Sequence, residues 1–152
     1  DAAFPEGELV LVTDVRAAVA KAGSTGTLAP ALAAIADQTN PVAVVIRIAE
    51  PAAPEDLDDA VNAALDQLLG AEVQLGVRPR ILGAPGLDTQ PVAAKLEEVA
   101  AKLRAFAYAA AIGDDVAEVN LYRENFSARE LMLLWPPPSL ATWSRVPWAC
   151  AA

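Results

Sequence analysis

Histidine is absent from this chain of 152 residues, and cysteine occurs once, as Cys150. The absence of histidine excludes the catalytic systems in which imidazole is the base for a serine or cysteine nucleophile. It also leaves few ligands for zinc and iron, which rarely bind without histidine or several cysteines. A single cysteine cannot form an internal disulfide bond, so the sequence gives no indication of an oxidising compartment.

Long apolar runs and clusters of basic residues are also missing. No apolar segment reaches the roughly 18 residues that a membrane-spanning helix needs, and the N-terminus lacks the pattern of a signal peptide. The formal net charge is -9, from 20 acidic and 11 basic residues. Such a surface repels the phosphates of nucleic acids and anionic lipids. We therefore expect neither a nucleic-acid partner nor a membrane partner.

Short apolar runs alternate with helical patterns along the chain. Residues 9–12, 42–48, 80–84 and 131–135 read as strands, and residues 106–112 are ambiguous between a strand and the end of a helix. Strands separated by helices are typical of βαβ units. The sequence therefore predicts an α/β fold, with a mostly parallel sheet of about five strands and helices on both faces, in three layers.

The clearest helix begins after Asp88 or Thr89, either of which is a suitable N-cap, and it carries Pro91 in its first turn. Apolar residues line one face of this helix at Val92, Leu96, Val99 and Leu103. An earlier helix reaches Gly70, where periodicity leaves two outcomes open. Gly70 ends the helix, or the helix continues to Leu75.

The length suits one domain, which we assign to residues 1–136. The character of the sequence changes after three consecutive prolines at 136–138. Residues 137–152 contain Trp143 and Trp148 but no clear period. We interpret them as a divergent C-terminal tail or linker.

Acidic residues follow several of the predicted strands, at the edge of a parallel sheet where active sites usually lie. They are Asp14, Glu50, Asp88, Asp114 and Asp115. Converging carboxylates could bind Mg²⁺, so a magnesium-dependent enzyme is the alternative function. The interpretation we favour is that Asp14, Asp88 and Asp114 are helix N-caps, which the same positions require. We accordingly assign no catalytic, cofactor-binding or metal-binding residue.

Several short segments form a pattern that is specific as a set, although each is weak alone. They read FPEGELVLVT at residues 4–13, GTL at 26–28, AIADQ at 34–38, GVRPRILGAPGLD at 76–88, KLRAF at 102–106 and NFSAREL at 125–131. In order and spacing, residues 4–48, 76–111 and 122–136 resemble the central domain of tail sheath proteins of contractile phages, in the P2-like and Mu-like branch.

The resemblance implies a structural protein of the virion tail, assembled in the bacterial cytoplasm. Sheath subunits stack as hexameric rings around a tail tube and shorten to drive the tube into the host cell. The implied partners are copies of the same protein and the tail tube protein. The implied fold is subtilisin-like, without a working protease. Family members are longer and carry terminal arms and a tube-facing domain, so the chain is expected to be a central domain truncated at both ends.

Overall fold

The computed structural model describes residues 3–136. Five strands and six α-helices follow one another in the order β1 Leu9–Val12, α1 Val15–Val19, α2 Leu28–Gln38, β2 Ala43–Ile46, α3 Leu57–Gln67, α4 Ala71–Leu75, β3 Ile81–Gly83, α5 Gln90–Leu103, β4 Phe106–Ala110, α6 Val116–Arg123 and β5 Leu131–Leu134. The predicted α/β class is confirmed, and the ambiguous segment at 106–112 contains a strand. The predicted tail at 137–152, with Trp143 and Trp148, lies outside the described residues.

The strands form two sheets instead of the single five-stranded sheet that the sequence predicts. β1 and β2 pair antiparallel, with Leu9 opposite Ile46 and Val12 opposite Ala43. The physical reason is that two helices, α1 and α2, connect these strands. One helix returns the chain to the end at which β1 began, and the second carries it back again, so β2 runs in the opposite direction.

The second sheet is parallel and has the order β3-β4-β5. One helix connects each pair of strands, α5 from β3 to β4 and α6 from β4 to β5. Crossovers between parallel strands are right-handed in nearly all proteins, and two such crossovers in the same direction place their helices on one face of the sheet. The packing agrees, because Phe126, just after α6, joins the same apolar cluster as α5.

Two apolar clusters form the core. The larger one joins α3 and α5 to one face of the three-stranded sheet, and its fully buried members include the predicted stripe residues Val92, Leu96 and Val99. Burial of each such side chain stabilises the fold by about 1.5–3 kcal/mol. The smaller cluster joins α1 and α2 to the two-stranded sheet, around Val15 and Leu32.

The backbone around Gly70 combines the two outcomes that periodicity left open. A single 3₁₀ turn, Leu68–Gly70, separates α3 from α4, and α4 continues to Leu75. Gly76 then ends α4 with φ 71°, and its N–H donates to the carbonyl oxygen of Glu72 at 3.1 Å. Glycine is favoured at this position because a left-handed residue at a helix end carries no Cβ penalty.

Candidate assembly surface

Two of the acidic residues at the strand ends are helix caps. The carboxylate of Asp14 accepts a hydrogen bond from the N–H of Ala17 at 3.2 Å, at the start of α1. The carboxylate of Asp115 accepts one from the N–H of Glu118 at 2.9 Å, at the start of α6. Each bond satisfies a backbone donor that the helix itself leaves unpaired. The predicted cap at Asp14 is confirmed.

The predicted caps at Asp88 and Asp114 are wrong. Asp114 lies one residue before the cap of α6, and its N–H donates to the carboxylate of Glu118 at 2.8 Å. Thr89 occupies the cap position of α5, but its hydroxyl donates to Asp58 at 2.8 Å instead of capping the helix. The carboxylate of Asp88 is drawn away from the helix because it accepts the N–H of Ala110, at the end of β4.

The structure does not gather these carboxylates into a metal site. Within residues 3–136, no group of three or more histidine, cysteine, aspartate or glutamate side chains is arranged to hold a metal ion. Asp14, Asp88 and Asp115 instead accept hydrogen bonds from backbone N–H groups. The same part of the chain contains no helix that is both long and apolar enough to cross a membrane.

Structural contacts occupy the carboxyl edge of the three-stranded sheet. Asp88, after β3, holds the last residue of β4, and the indole N–H of Trp135, after β5, donates to the carbonyl oxygen of Gly113 at 2.9 Å. Gly113 is closely packed, since an added Cβ would lie 2.9 Å from the side chain of Val119. These contacts therefore join the loops that follow the three strands.

A crevice of about 540 Å³ lies between the two sheets, with walls from β2, α2, α3 and the loop after β3. Its clearest charged group is Arg47, which is already engaged. One guanidinium nitrogen of Arg47 lies 3.0 Å from the carboxylate of Glu6, and another donates to the carbonyl oxygen of Phe4 at 3.3 Å. The crevice therefore presents no uncommitted cation that would select an anionic ligand.

Ion pairs join α5 to α3 and also link successive turns within α5. The ammonium of Lys95 lies 2.8 Å from the carboxylate of Asp66 on α3 and 3.2 Å from that of Glu98. Hydrogen bonds to Asp66 and then to Glu98 raise the pKa of Lys95. Hydrogen bonds from Lys102 and then from Lys95 lower the pKa of Glu98. These shifts arise from the ion pairs and hydrogen bonds within α5 and between α5 and α3.

Tyr122 on α6 carries a buried hydroxyl that takes no part in these ion pairs. Its hydroxyl has no hydrogen-bond partner in the described residues, and its ring packs against Phe126 with the ring centroids 5.2 Å apart. Burial raises the pKa of Tyr122, and the nearby charge of Asp88 raises it further. Both effects keep the hydroxyl neutral, as suits a core residue.

The three-stranded sheet has a second face, which we call the outer face. It carries the side chains that alternate with the core residues of each strand: Ile81, Gly83, Phe106, Tyr108, Ala110, Met132 and Leu134. None of the seven belongs to the apolar clusters described above. Ile81 is 45% exposed and Met132 is 43% exposed. The sequence did not reveal this surface, because apolar residues on both faces of a strand predict a strand that is covered on both sides.

The sequence also matches known proteins. A family model described as the N-terminal region of domain III of tail sheath protein Gp18 matches residues 1–48. The chain is 46% identical over 149 residues to the tail sheath protein of Escherichia phage P2, an alignment that covers 88% of this chain and 38% of that protein. The chain belongs to the tail sheath family. The match to the Gp18 model spans the whole two-stranded sheet with its two helices.

A second curated tail sheath protein gives the same result. The chain is 40% identical over 146 residues to the major tail sheath protein of Serratia phage KSP20, with coverage of 88% of this chain and 37% of that protein. This chain therefore spans less than two fifths of the length of these two relatives. No solved structure matches significantly, so the subtilisin-like fold stays a prediction.

Proposed function

We propose that the chain is a structural segment of a contractile tail sheath subunit, and that it acts by binding other copies of the subunit in the virion tail. The identity of 46% to the phage P2 tail sheath protein across 88% of the chain carries this proposal. The wider activity belongs to the same proposal: subunits stack as hexameric rings around the tail tube protein, and the sheath shortens to drive the tube into the host.

The residues support a structural role in two ways. Three of the five acidic side chains considered for a magnesium site, Asp14, Asp88 and Asp115, accept hydrogen bonds from backbone N–H groups instead. The described part of the chain also exposes a charge-free apolar face, which is a typical feature of protein–protein contact surfaces. We propose further that residues 1–136 form one domain and that residues 137–152 are a tail or linker.

A chimera tests this function. The segment of the phage P2 tail sheath protein that aligns with this chain is replaced by residues 1–136, and the chimera is expressed and examined by electron microscopy. We expect sheath-like tubes or rings, because the replaced and replacing segments are nearly half identical. A chimera that is folded and soluble by circular dichroism but forms neither tubes nor rings would contradict the proposal.

A matched control separates a sheath segment from a generic α/β domain. An unrelated α/β domain of similar length, placed at the same position of the phage P2 protein, should give no assembly. If the control assembles as well as the chimera, the segment contributes nothing to the sheath.

A further inference from the structure

The outer face of the three-stranded sheet is incomplete by the usual rule for parallel strands. Purely parallel sheets occur almost only where both faces are covered, because helical crossovers pack on them. Here α5 and the segment after α6 pack on the face that carries Ala107, Ala109 and Leu133. The opposite face leaves Ile81 and Met132 nearly half exposed.

The chemistry of the outer face restricts what covers it. None of its seven side chains is charged, on a protein whose net charge is -9. Phe106 and Tyr108 form an edge-to-face ring pair at its centre, with centroids 5.3 Å apart. Beside them Gly83 leaves a depression, since an added Cβ would meet only the carbonyl oxygen of Tyr108, at 3.7 Å. An apolar surface with a shallow groove suits the apolar stripe of a helix.

The size of the face suits a single helix. Three strands spaced by about 4.8 Å, each about four residues long at about 3.3 Å per residue, give a plan area of roughly 200 Å². A single helix, about 10 Å across and rising about 1.5 Å per residue, covers the same plan area with roughly 13 residues.

Positive charge lies at the amino edge of the sheet, so the two ends of the outer face differ in charge. Two exposed arginines lie just before strands, Arg80 before β3 and Arg104 before β4, and we call them the arginine rim. Arg129, before β5, is already paired with Glu130 at 2.9 Å. The guanidinium of Arg80 donates to the carbonyl oxygen of Arg104 at 3.2 Å, so these two are held together. On an acidic protein this basic rim favours acidic residues at the matching end of a partner helix.

From these features we propose that the outer face is the docking surface for one amphipathic helix, supplied by the part of a tail sheath polypeptide that this chain does not span. The source follows from length, because the two relatives are matched over only 38% and 37% of their residues. The inference rests on the proposed function. The helix places its apolar stripe over Phe106, Tyr108 and Met132, and its acidic end meets the arginine rim.

The test uses the full chain with known polypeptides. The chain is co-expressed with two tagged pieces of the phage P2 tail sheath protein, which together make up the parts outside the aligned region. We expect one piece to capture the chain. Ile81→Asp and Met132→Asp should reduce capture at least tenfold, because each places a charge under the helix. Val73→Asp is the matched control, since Val73 on α4 is 92% exposed, and it should not change capture.

A second readout follows Met132 directly, since it is the only methionine in the chain. Its labelled methyl group gives one NMR signal, which should shift when the captured piece is present. Circular dichroism of the variants confirms that they are folded. Absence of capture by the unaltered chain, or equal capture by folded Met132→Asp, would overturn the inference.

Two other occupants give distinct results that would also overturn it. Association of the chain with itself, sensitive to Met132→Asp and independent of the phage P2 pieces, would identify a second copy. A shift of the Met132 signal after removal of residues 137–152 would identify the chain's own C-terminal segment. If the chimera forms tubes with and without Met132→Asp, the inference fails while the sheath function stands. If capture occurs as expected but no chimera assembles, the function fails and the docking surface remains.

Discussion

Tyr122 shows how a single residue limits stability in this protein. Its hydroxyl is buried without a partner in the described residues, whereas the ring is well packed. An unpaired buried donor loses its hydrogen bonds to water on folding, and this loss opposes the favourable burial of the ring. Tyr122 therefore stabilises the folded state through its ring, and its hydroxyl reduces that stabilisation.

We predict that Tyr122→Phe raises the free energy of unfolding by about 1 kcal/mol, because it removes the unpaired hydroxyl and keeps the ring. Its pKa is raised in the folded state. Because the folded state disfavours ionisation of this hydroxyl, the free energy of unfolding has its full value below the ordinary pKa of 10.0, and it falls as the pH rises through the folded pKa. Urea unfolding at neutral pH and above pH 10 measures both effects.

Tyr108, which lies on the outer face, is a suitable control for this prediction. Tyr108→Phe should not reproduce the gain in stability, since Tyr108 is only partly buried and takes part in polar or ring contacts. An unchanged or lowered stability of Tyr122→Phe would indicate that a water molecule satisfies the hydroxyl.

Single residues also show which features could be predicted from the sequence and which could not. The caps could be predicted as a class, because an aspartate before an apolar helical pattern is a strong local signal. That signal identified Asp14 but failed for Asp88, whose carboxylate bonds to Ala110, 22 residues away. A local pattern cannot reveal a bond that depends on which strand lies next to the loop.

At the scale of elements, helix ends decide how α3, α4 and β3 follow one another. Periodicity predicted helix on both sides of Gly70, and the chain needs only one 3₁₀ turn there to change direction. Gly76 then stops α4 in a left-handed conformation with φ 71°. This glycine sets the direction in which the chain enters β3.

We predict that Gly76→Ala destabilises the fold by about 1–2 kcal/mol, which is the penalty for a left-handed residue with a Cβ. The loss is conformational, because an added Cβ at Gly76 meets no atom within 4 Å. Gly76→Asn should lose less, since asparagine tolerates this conformation better. Thermal unfolding ranks the three proteins, and equal stability of the alanine and asparagine variants would contradict the explanation.

The arrangement of the strands was only partly predictable from their sequences. Every predicted strand is present, because short β-branched and apolar runs between turns are strong signals. Their division into two sheets depends on the pair of helices between β1 and β2, which makes those strands antiparallel. The open face of β4 was hidden by its composition, since apolar residues occupy both faces of that strand.

For the whole molecule, the acidic surface makes stability depend on pH. The pKa of Glu98 is lowered by Lys102 and Lys95, and that of Glu130 is lowered by Arg129. A carboxyl group with a lowered folded pKa stabilises the protein above its unfolded value. That contribution is lost as the pH falls through the folded pKa.

We predict that the thermal midpoint of the protein falls as the pH is lowered below about 4.5, the ordinary glutamate value. Glu98→Gln should be less stable than the unaltered protein at neutral pH and should show a smaller further loss on acidification. Glu124→Gln is a control, since no ion pair of Glu124 occurs in the described residues. Melting curves from pH 3 to pH 7 give the comparison, and parallel curves for Glu98→Gln and the unaltered protein would refute it.

Trp135, at the end of β5, is a natural fluorescent probe of the outer face. It is the one tryptophan within residues 3–136, it is 39% exposed, and its indole is tethered to Gly113 next to Leu134 of the outer face. With Trp143 and Trp148 replaced by phenylalanine, ultraviolet emission comes from this indole alone. A blue shift in that emission then signals, without any added dye, that another polypeptide has settled over the neighbouring strand.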